Sequence, residues 1–499
     1  MNKLKTKNLK LNVLFNCAYQ IFVLIVPFIT SPYVSRVLLP EGVGSYSYAL
    51  SLVTYFSLVA AFGFLDYGTS ALAKQRDDRK NYSQTFFELC MAKLALTLLV
   101  CVAYVVLIMT GVFESEHYPL NTKIVFLLLG MNILVNGFDA TFLFQGLEEF
   151  GPLCLRNFVV RLLNMVLIFL LVKKADDYVS YIAVMGGSNA LLGVLSFVGI
   201  HRFLDKPQFR NPHILTHIRN AFIYFIPTGV VTILPIISKT LIGSIVQDSL
   251  QSGYYEQADK LITLVIAMIN SLDAIMMSRM SYLYAIGDKV EIEHKTKQTL
   301  SLFLIVMIPA CIGLALVNPY FTVGFFGGEY QASVPYVYAL LPRLVFSPLT
   351  ALLGAIYFVP SGKLWTRNLL YLSGLLSNLL LSSILIRFFS VMGCCIAYSM
   401  TEIVLCLLFV VFSKKNIRHA FPLDSFVKSI DAGLLMLIGC YFVSSFIRNR
   451  FSNMVVAIFM ILVGAIVYFA FLLLFHEETV SFYFNRIKQT IVRLLHKRG

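Results

Sequence analysis

Residues 235–265 read PIISKTLIGSIVQDSLQSGYYEQADKLITLV. Two lysines stand inside long apolar runs there, Lys239 in the middle of one and Lys260 near the start of the next. A charge at the centre of a bilayer costs at least about 2.5–3.5 kcal/mol, so a lysine kept there points to a partner or a function. The stretch has an echo near the N-terminus, where residues 34–49 read VSRVLLPEGVGSYSYA. Val34-Ser35-Arg36 aligns with Ile237-Ser238-Lys239, and a Gly-x-Tyr-x-x-Ala spacing recurs at Gly44, Tyr46, Ala49 and at Gly253, Tyr255, Ala258. An internal repeat with a cation at the same place in each copy predicts two related halves facing one another.

The surrounding composition fits that frame. The chain is 58% hydrophobic and only 13% charged, against about 25% charged in an average globular domain, and its mean hydropathy is +0.78. It reads as an all-α integral membrane protein of many spans, with no loop long enough for a soluble domain. None of the nine cysteines falls in a Cys-x-x-Cys or His/Cys cluster, so neither a disulfide framework, a metal site nor a cofactor is expected. The basic N-terminus leads into an apolar run without a small-residue cleavage site, which predicts a retained first helix.

Apolar windows of membrane length predict about fourteen helices, near 12–34, 45–66, 85–110, 123–146, 157–173, 179–200, 222–246, 255–284, 298–320, 334–359, 368–390, 393–412, 430–447 and 453–475. Alternate connections carry about 27 of the 40 Lys and Arg, and by the positive-inside rule those connections and both termini face the cytoplasm. Most of the net charge of +14 is therefore topogenic, and nucleic acid is not expected as a partner. In the tail, Phe484, Ile487, Ile491, Leu494 and Leu495 share one helical face, with Arg486, Lys488, Arg493, Lys497 and Arg498 around the rest. That pattern predicts a helix lying on the anionic inner membrane surface. Paired prolines, Pro27 and Pro32 in the first window and Pro227 and Pro235 in the seventh, precede the paired cations and predict bent helices lining a cavity.

Thirteen charges within the windows are candidates for function: Asp66, Glu88, Lys93, Asp139, Arg161, Lys239, Glu256, Asp259, Lys260, Asp273, Arg279, Arg343 and Glu402. Several have structural explanations. Asp66, Glu88, Arg161 and Arg279 lie near the inner interface and can snorkel, while Glu256, Asp259 and Lys260 lie within a turn and can neutralise one another. As a set, Arg36, Lys239, Lys260 and Arg343, joined by Arg161, are cations towards the middle or outer part of the helices, which suits an anionic substrate such as a phosphate. Asp139 and Asp273 are the best acids for coupling to a proton or Na⁺, with pairing to a neighbouring helix as the structural alternative. Membrane potential alone is the third candidate for coupling.

Several of these segments carry a family resemblance: PFITSPYVSRVL with PEGVGSYSYA, SLVTYFSLVAAFGFLDYG with AKQRDD, FDATFLFQGLEEF, and SKTLIG with GYYEQADKLITLVIAMINSL. On these the chain resembles the Wzx-type flippases for O-antigen and capsule repeat units, in the superfamily that also holds lipid II flippases and multidrug and toxin extruders. It departs from the usual pattern at Leu39, where a glycine is common before the proline, and at Ser70, Phe142 and Ser278. The resemblance implies two pseudo-symmetric six-helix lobes, 1–220 and 221–424, with residues 425–499 adding two helices and the basic tail. It implies a transporter rather than an enzyme, in the bacterial inner membrane, moving undecaprenyl-pyrophosphate-linked oligosaccharide from the cytoplasmic to the outer leaflet for O antigen, capsule or exopolysaccharide. Membrane lipid, a polymerase and a chain-length regulator are further candidate partners. On this reading Arg36, Lys239, Lys260 and Arg343 attract the pyrophosphate, and Asp139, Asp273, Arg161 and Arg279 are coupling or structural charges. The alternatives are a cation-coupled drug extruder, which would favour acids over cations at the repeat positions, and a membrane-embedded polymerase, which would need a longer outer loop.

Overall fold

The computed structural model describes residues 9–205, 214–271, 273–413, 420–448 and 450–481, and the expected surface helix of the tail lies outside them. The described residues are helical, with no strand. Among the described residues, ten stretches are long and apolar enough to cross a membrane, or eleven if Gly328–Leu340 and Arg343–Phe358, which meet at 48°, form one broken span.

The expected count of fourteen is not confirmed, and at two places, Leu39 and Ser390, a single-residue break stands where a loop was expected. Helix α1 (Leu9–Ala61) has 53 residues, about 80 Å at 1.5 Å per residue, far beyond the ~30 Å of a hydrocarbon core. It is two helices joined at Leu39, whose φ of 59° and ψ of 173° lie outside the helical region. Pro40 follows, and a proline pushes its predecessor out of the helical region while starting the next helix well. The helical backbone runs through Pro27 and Pro32, so the break comes later than those prolines. Then come α2 (Phe64–Lys74), α3 (Arg79–Met109), α4 (Lys123–Phe138), α5 (Thr141–Gly146), α6 (Phe150–Leu171), α7 (Tyr178–Leu195), α8 (Ile214–Leu241) and α9 (Ser249–Asn270). They are followed by α10 (Asp273–Ile286), α11 (Lys289–Phe326), α12 (Val334–Leu340), α13 (Arg343–Leu353), α14 (Leu364–Phe412), α15 (Leu423–Ile447) and α16 (Asn453–Leu474). Like α1, α14 is two helices joined at one residue, Ser390, with φ 53° and ψ −138°. The window 255–284 is likewise divided, into α9 and α10.

Two compact units divide the chain, residues 1–256 and 257–499. In the first, α4 packs against α1, α3 and α7. Small residues set the spacing: a Cβ on Gly186 of α7 would lie 2.7 Å from the Leu128 carbonyl oxygen of α4, the close approach by which helices associate in lipid. One apolar cluster includes Leu38, Ala49, Val53, Tyr104, Phe126, Leu129 and Tyr178. A second gathers Phe64, Leu72, Phe86, Phe142 and Ala221 around α2, α3 and α5. In the second unit α11, α15 and α16 pack together through Ile305, Met436, Cys440, Met460 and Tyr468. Glu477, fully buried after α16, accepts from Ser425 Oγ at 2.7 Å and from the Val480 amide at 2.7 Å, so a carboxylate caps the start of the tail.

Candidate functional site

Lys239 stands in the last turn of α8. Beyond it the helix widens into a π-turn at Ile242–Val246, Gln247 takes a left-handed φ of 56°, and α9 begins at Ser249. About two turns into α9, Glu256 receives Lys239: Nζ lies 2.8 Å from Oε2, with the side chains 22% and 17% exposed. The Ser47 hydroxyl of α1 donates to the same Glu256 oxygen.

These contacts follow the repeat. With Gly44 aligned on Gly253, Ser47 aligns on Glu256, and both equivalent pairs meet each other. A Cβ on Gly44 would fall 1.9 Å from the Ser249 carbonyl oxygen and 2.6 Å from the Gly253 nitrogen, and one on Gly253 would fall 2.0 Å from the Pro40 carbonyl oxygen. The second arm of α1 and the start of α9 thus touch backbone to backbone, and both glycines are required for want of space. Hydrogen bonds line the seam: Tyr118 to Ser252 at 2.8 Å, Tyr55 to Thr240 at 3.0 Å, and Asn121 to the Ser45 carbonyl at 2.9 Å. Arg36 is exposed on the first arm of α1.

The second unit holds its own ion pair. Arg343 opens α13 and is only 3% exposed. Its Nη1 lies 2.5 Å from Asp259 Oδ1, and its guanidinium sits 3.7 Å from the centre of the Tyr398 ring. Glu402, one turn along α14 from Tyr398, is buried and interacts with Arg343 and Ser347. A guanidinium suits this place because it pairs, donates and stacks at once. Lys260, beside Asp259 on α9, is half-buried. Helical spacing puts Glu256 and Asp259 close together, but each serves a cation from another helix.

The remaining charges separate. Asp139 is at the joint of α4 and α5, where its Oδ1 accepts from the Thr141 amide at 3.0 Å and from the Thr141 hydroxyl at 2.5 Å. Buried Lys93 donates to the Asp139 carbonyl at 2.6 Å and lies 5.2 Å from the Phe142 ring centre. Asp139 is thereby a joint residue. Asp273 is the first residue of α10, and its Oδ1 is buried without a hydrogen-bond partner. Arg161 sits mid-way along α6 with its Nε in the same condition. Arg279 is exposed and lies over the Tyr282 ring at 5.6 Å. Sequence reasoning missed Ser47 and Tyr398. The repeat register held the signal for Ser47, as the counterpart of Glu256, and no local pattern marked Tyr398.

A family model described as "Polysaccharide biosynthesis protein" matches residues 9–279. A protein of Shigella dysenteriae named "Putative O-antigen transporter" is 25% identical over 419 residues, covering 80% of this chain and 98% of that one. A protein of the same name from Escherichia coli (strain K12) is 22% identical over 228 residues, covering 45% and 54%. Among solved structures, the lipid II flippase MurJ in an inward closed conformation superposes with a TM-score of 0.74 at 16% identity, covering 94% of this chain and all of that one. An inward-facing multidrug resistance MATE family transporter of the MOP superfamily gives 0.60 at 14% identity, covering 80% and 98%. The fold is that of these multi-pass membrane transporters, and the chain belongs to the polysaccharide biosynthesis protein family.

Proposed function

We propose that the protein moves undecaprenyl-pyrophosphate-linked oligosaccharide repeat units from the cytoplasmic to the outer leaflet of the inner membrane, for O antigen, capsule or exopolysaccharide. The relatives named as O-antigen transporters favour a lipid-linked sugar as cargo. The observation that carries the reading is the Lys239–Glu256–Ser47 group, a half-buried cation held where equivalent repeat residues meet. In this proposal the lobes 1–220 and 221–424 alternate access, and 425–499 is an addition to them. Both termini face the cytoplasm, as the charge bias of the connections requires.

A pyrophosphate competes with Glu256 for Lys239. Each interaction is charge-assisted, and the incoming anion offers more acceptor oxygens than one carboxylate. Exposed Arg36 and half-buried Lys260 draw the anion in, whereas buried Arg343, already held by Asp259, positions α13. Asp139 and Arg279 act structurally, and Asp273 and Arg161 are the charges left for coupling. The sugar travels in the polar lumen and the prenyl tail stays in lipid.

The test is complementation of a deletion strain, reading the leaflet position of undecaprenyl-linked sugars. Completed repeat units accumulate facing the cytoplasm without the protein and are cleared by the wild type. Lys239→Ala, present in the membrane at normal amount, fails to clear them, and Lys239→Arg restores part of the flow. Single units that reach the outer leaflet without the protein, yet stay unpolymerised, would overturn the reading.

A further inference from the structure

A second polar cluster lies at the other end of α8 from Lys239. His217, in the first turns of that helix, is 9% exposed, and Glu88 of α3 is 5% exposed. His217 Nε2 lies 2.9 Å from Glu88 Oε2, and its Nδ1 lies 2.9 Å from the Tyr67 hydroxyl of α2. Asn220 Nδ2 donates to that hydroxyl at 3.1 Å, and Gln84 Nε2 donates to the other Glu88 oxygen at 2.6 Å. Among the described residues, the titratable groups at the ring are Tyr67 on α2, with Asp66 beside it in the chain, Glu88 on α3 and, against the Tyr67 ring, Tyr224 on α8. Asp66 is engaged by Thr228, and further along α3 Arg79 pairs with Asp205 at 3.0 Å. Beside the cluster, α8 meets the joint between α1 and α2 closely: a Cβ on Gly63 would fall 2.6 Å from the Phe225 nitrogen.

Hydrogen counting gives this cluster two states. Asn220 always donates to the Tyr67 oxygen, since an amide N–H₂ cannot accept. With a neutral ring, Nε2–H donates to Glu88 and Nδ1 accepts the Tyr67 hydrogen, so all these groups are satisfied. With an imidazolium, Nδ1–H must donate to Tyr67, whose own hydrogen turns away, while the bond to Glu88, already charge-assisted through the carboxylate, becomes an ion pair. One added proton thus reverses one hydrogen bond and strengthens another. Histidine is the side chain suited to such a change between pH 5 and 8.

We propose that Glu88, His217, Tyr67 and Asn220 form a proton-binding site that sets how firmly the first turns of α8 are held against α2 and α3. Proton uptake tightens the hold through the Glu88–His217 ion pair, and proton loss relaxes it. Because α8 is one continuous helix to Lys239, the site governs the setting of that lysine. Only this consequence for transport rests on the function proposed above.

The experiment is hydrogen–deuterium exchange of the full chain in lipid nanodiscs at pH 5.5 and pH 8, corrected for the intrinsic pH dependence of amide exchange. In the wild type, opening of the segment 214–226 becomes about threefold or more rarer at the lower pH. In His217→Gln and in Glu88→Gln that dependence disappears, while exchange elsewhere in α3 and in α11 stays unchanged and certifies the fold. Protection of 214–226 that ignores pH in the wild type overturns the site, as does a pH dependence that survives in both variants. The readout needs no substrate. A negative result therefore leaves the transport reading standing, and failure of the complementation assay leaves the proton site standing.

Discussion

At Arg343 a full charge sits 3% exposed, which is tolerable only because Asp259, Tyr398 and Glu402 surround it. Removing one partner of a buried pair leaves the other desolvated and uncompensated, at a cost of about 3–5 kcal/mol. Arg343→Ala therefore lowers the thermal unfolding midpoint sharply, and Arg343→Met with Asp259→Leu recovers most of the loss, since a well-packed apolar replacement is often neutral. A double variant as unstable as the single one would mean that the guanidinium acts chiefly through Tyr398 and Glu402. Leu39 makes the opposite case. With φ at 59° and ψ at 173° it occupies a region almost confined to glycine, and a non-glycine residue there costs about 1–3 kcal/mol. Its side chain is 42% exposed, so little burial compensates. Leu39→Gly raises unfolding stability by about 1 kcal/mol once the added chain entropy is subtracted. A glycine is also what the family resemblance leads one to expect before this proline.

Among the elements, the seam between the second arm of α1 and the start of α9 is the most tightly specified contact in the first unit. Gly253→Leu forces the Pro40 carbonyl away from α9, breaks the Tyr118–Ser252 bond, and costs more than the about 1–3 kcal/mol of ordinary overpacking. Gly151→Ala, where a Cβ meets nothing within 4 Å, is stabilising by about 0.5–1 kcal/mol because the site is helical. Thermal unfolding of the two variants side by side checks both signs. The repeat was legible because equivalent glycines and tyrosines recur at fixed spacing, and the seam is where those glycines meet. The helix joints were not legible as joints, since one residue outside the helical region breaks α1 or α14 with no polar loop to mark it. Ion-pair partners were hidden for another reason: Glu256 and Asp259 lie a turn apart on one helix, but tertiary packing assigns them to Lys239 and Arg343. His217 was invisible because it lies in a basic stretch whose charge already had a topogenic explanation.

For the molecule as a whole, under the function proposed above, the governing quantity is the charge moved across the membrane per substrate. A pyrophosphate diester carries about two negative charges, and each is worth about 2.3 kcal/mol per 100 mV of potential. With the cytoplasm negative, the field drives the anion outward. It also favours the inward return of an emptied site whose lysine has been handed back to Glu256 only in part. Purified protein in vesicles with an imposed potassium diffusion potential separates these contributions. A potential of the physiological sign speeds delivery of lipid-linked oligosaccharide to the positive leaflet, and the reversed sign slows it. In Lys239→Gln the dependence on potential steepens, because the site no longer carries a positive charge along with the anion, although the rate itself falls. A wild-type rate indifferent to the sign of the potential would mean that a counter-moving cation neutralises the cargo at every step. The coupling would then belong to an acid such as Asp273, or to the Glu88–His217 site, rather than to the field acting on the pyrophosphate.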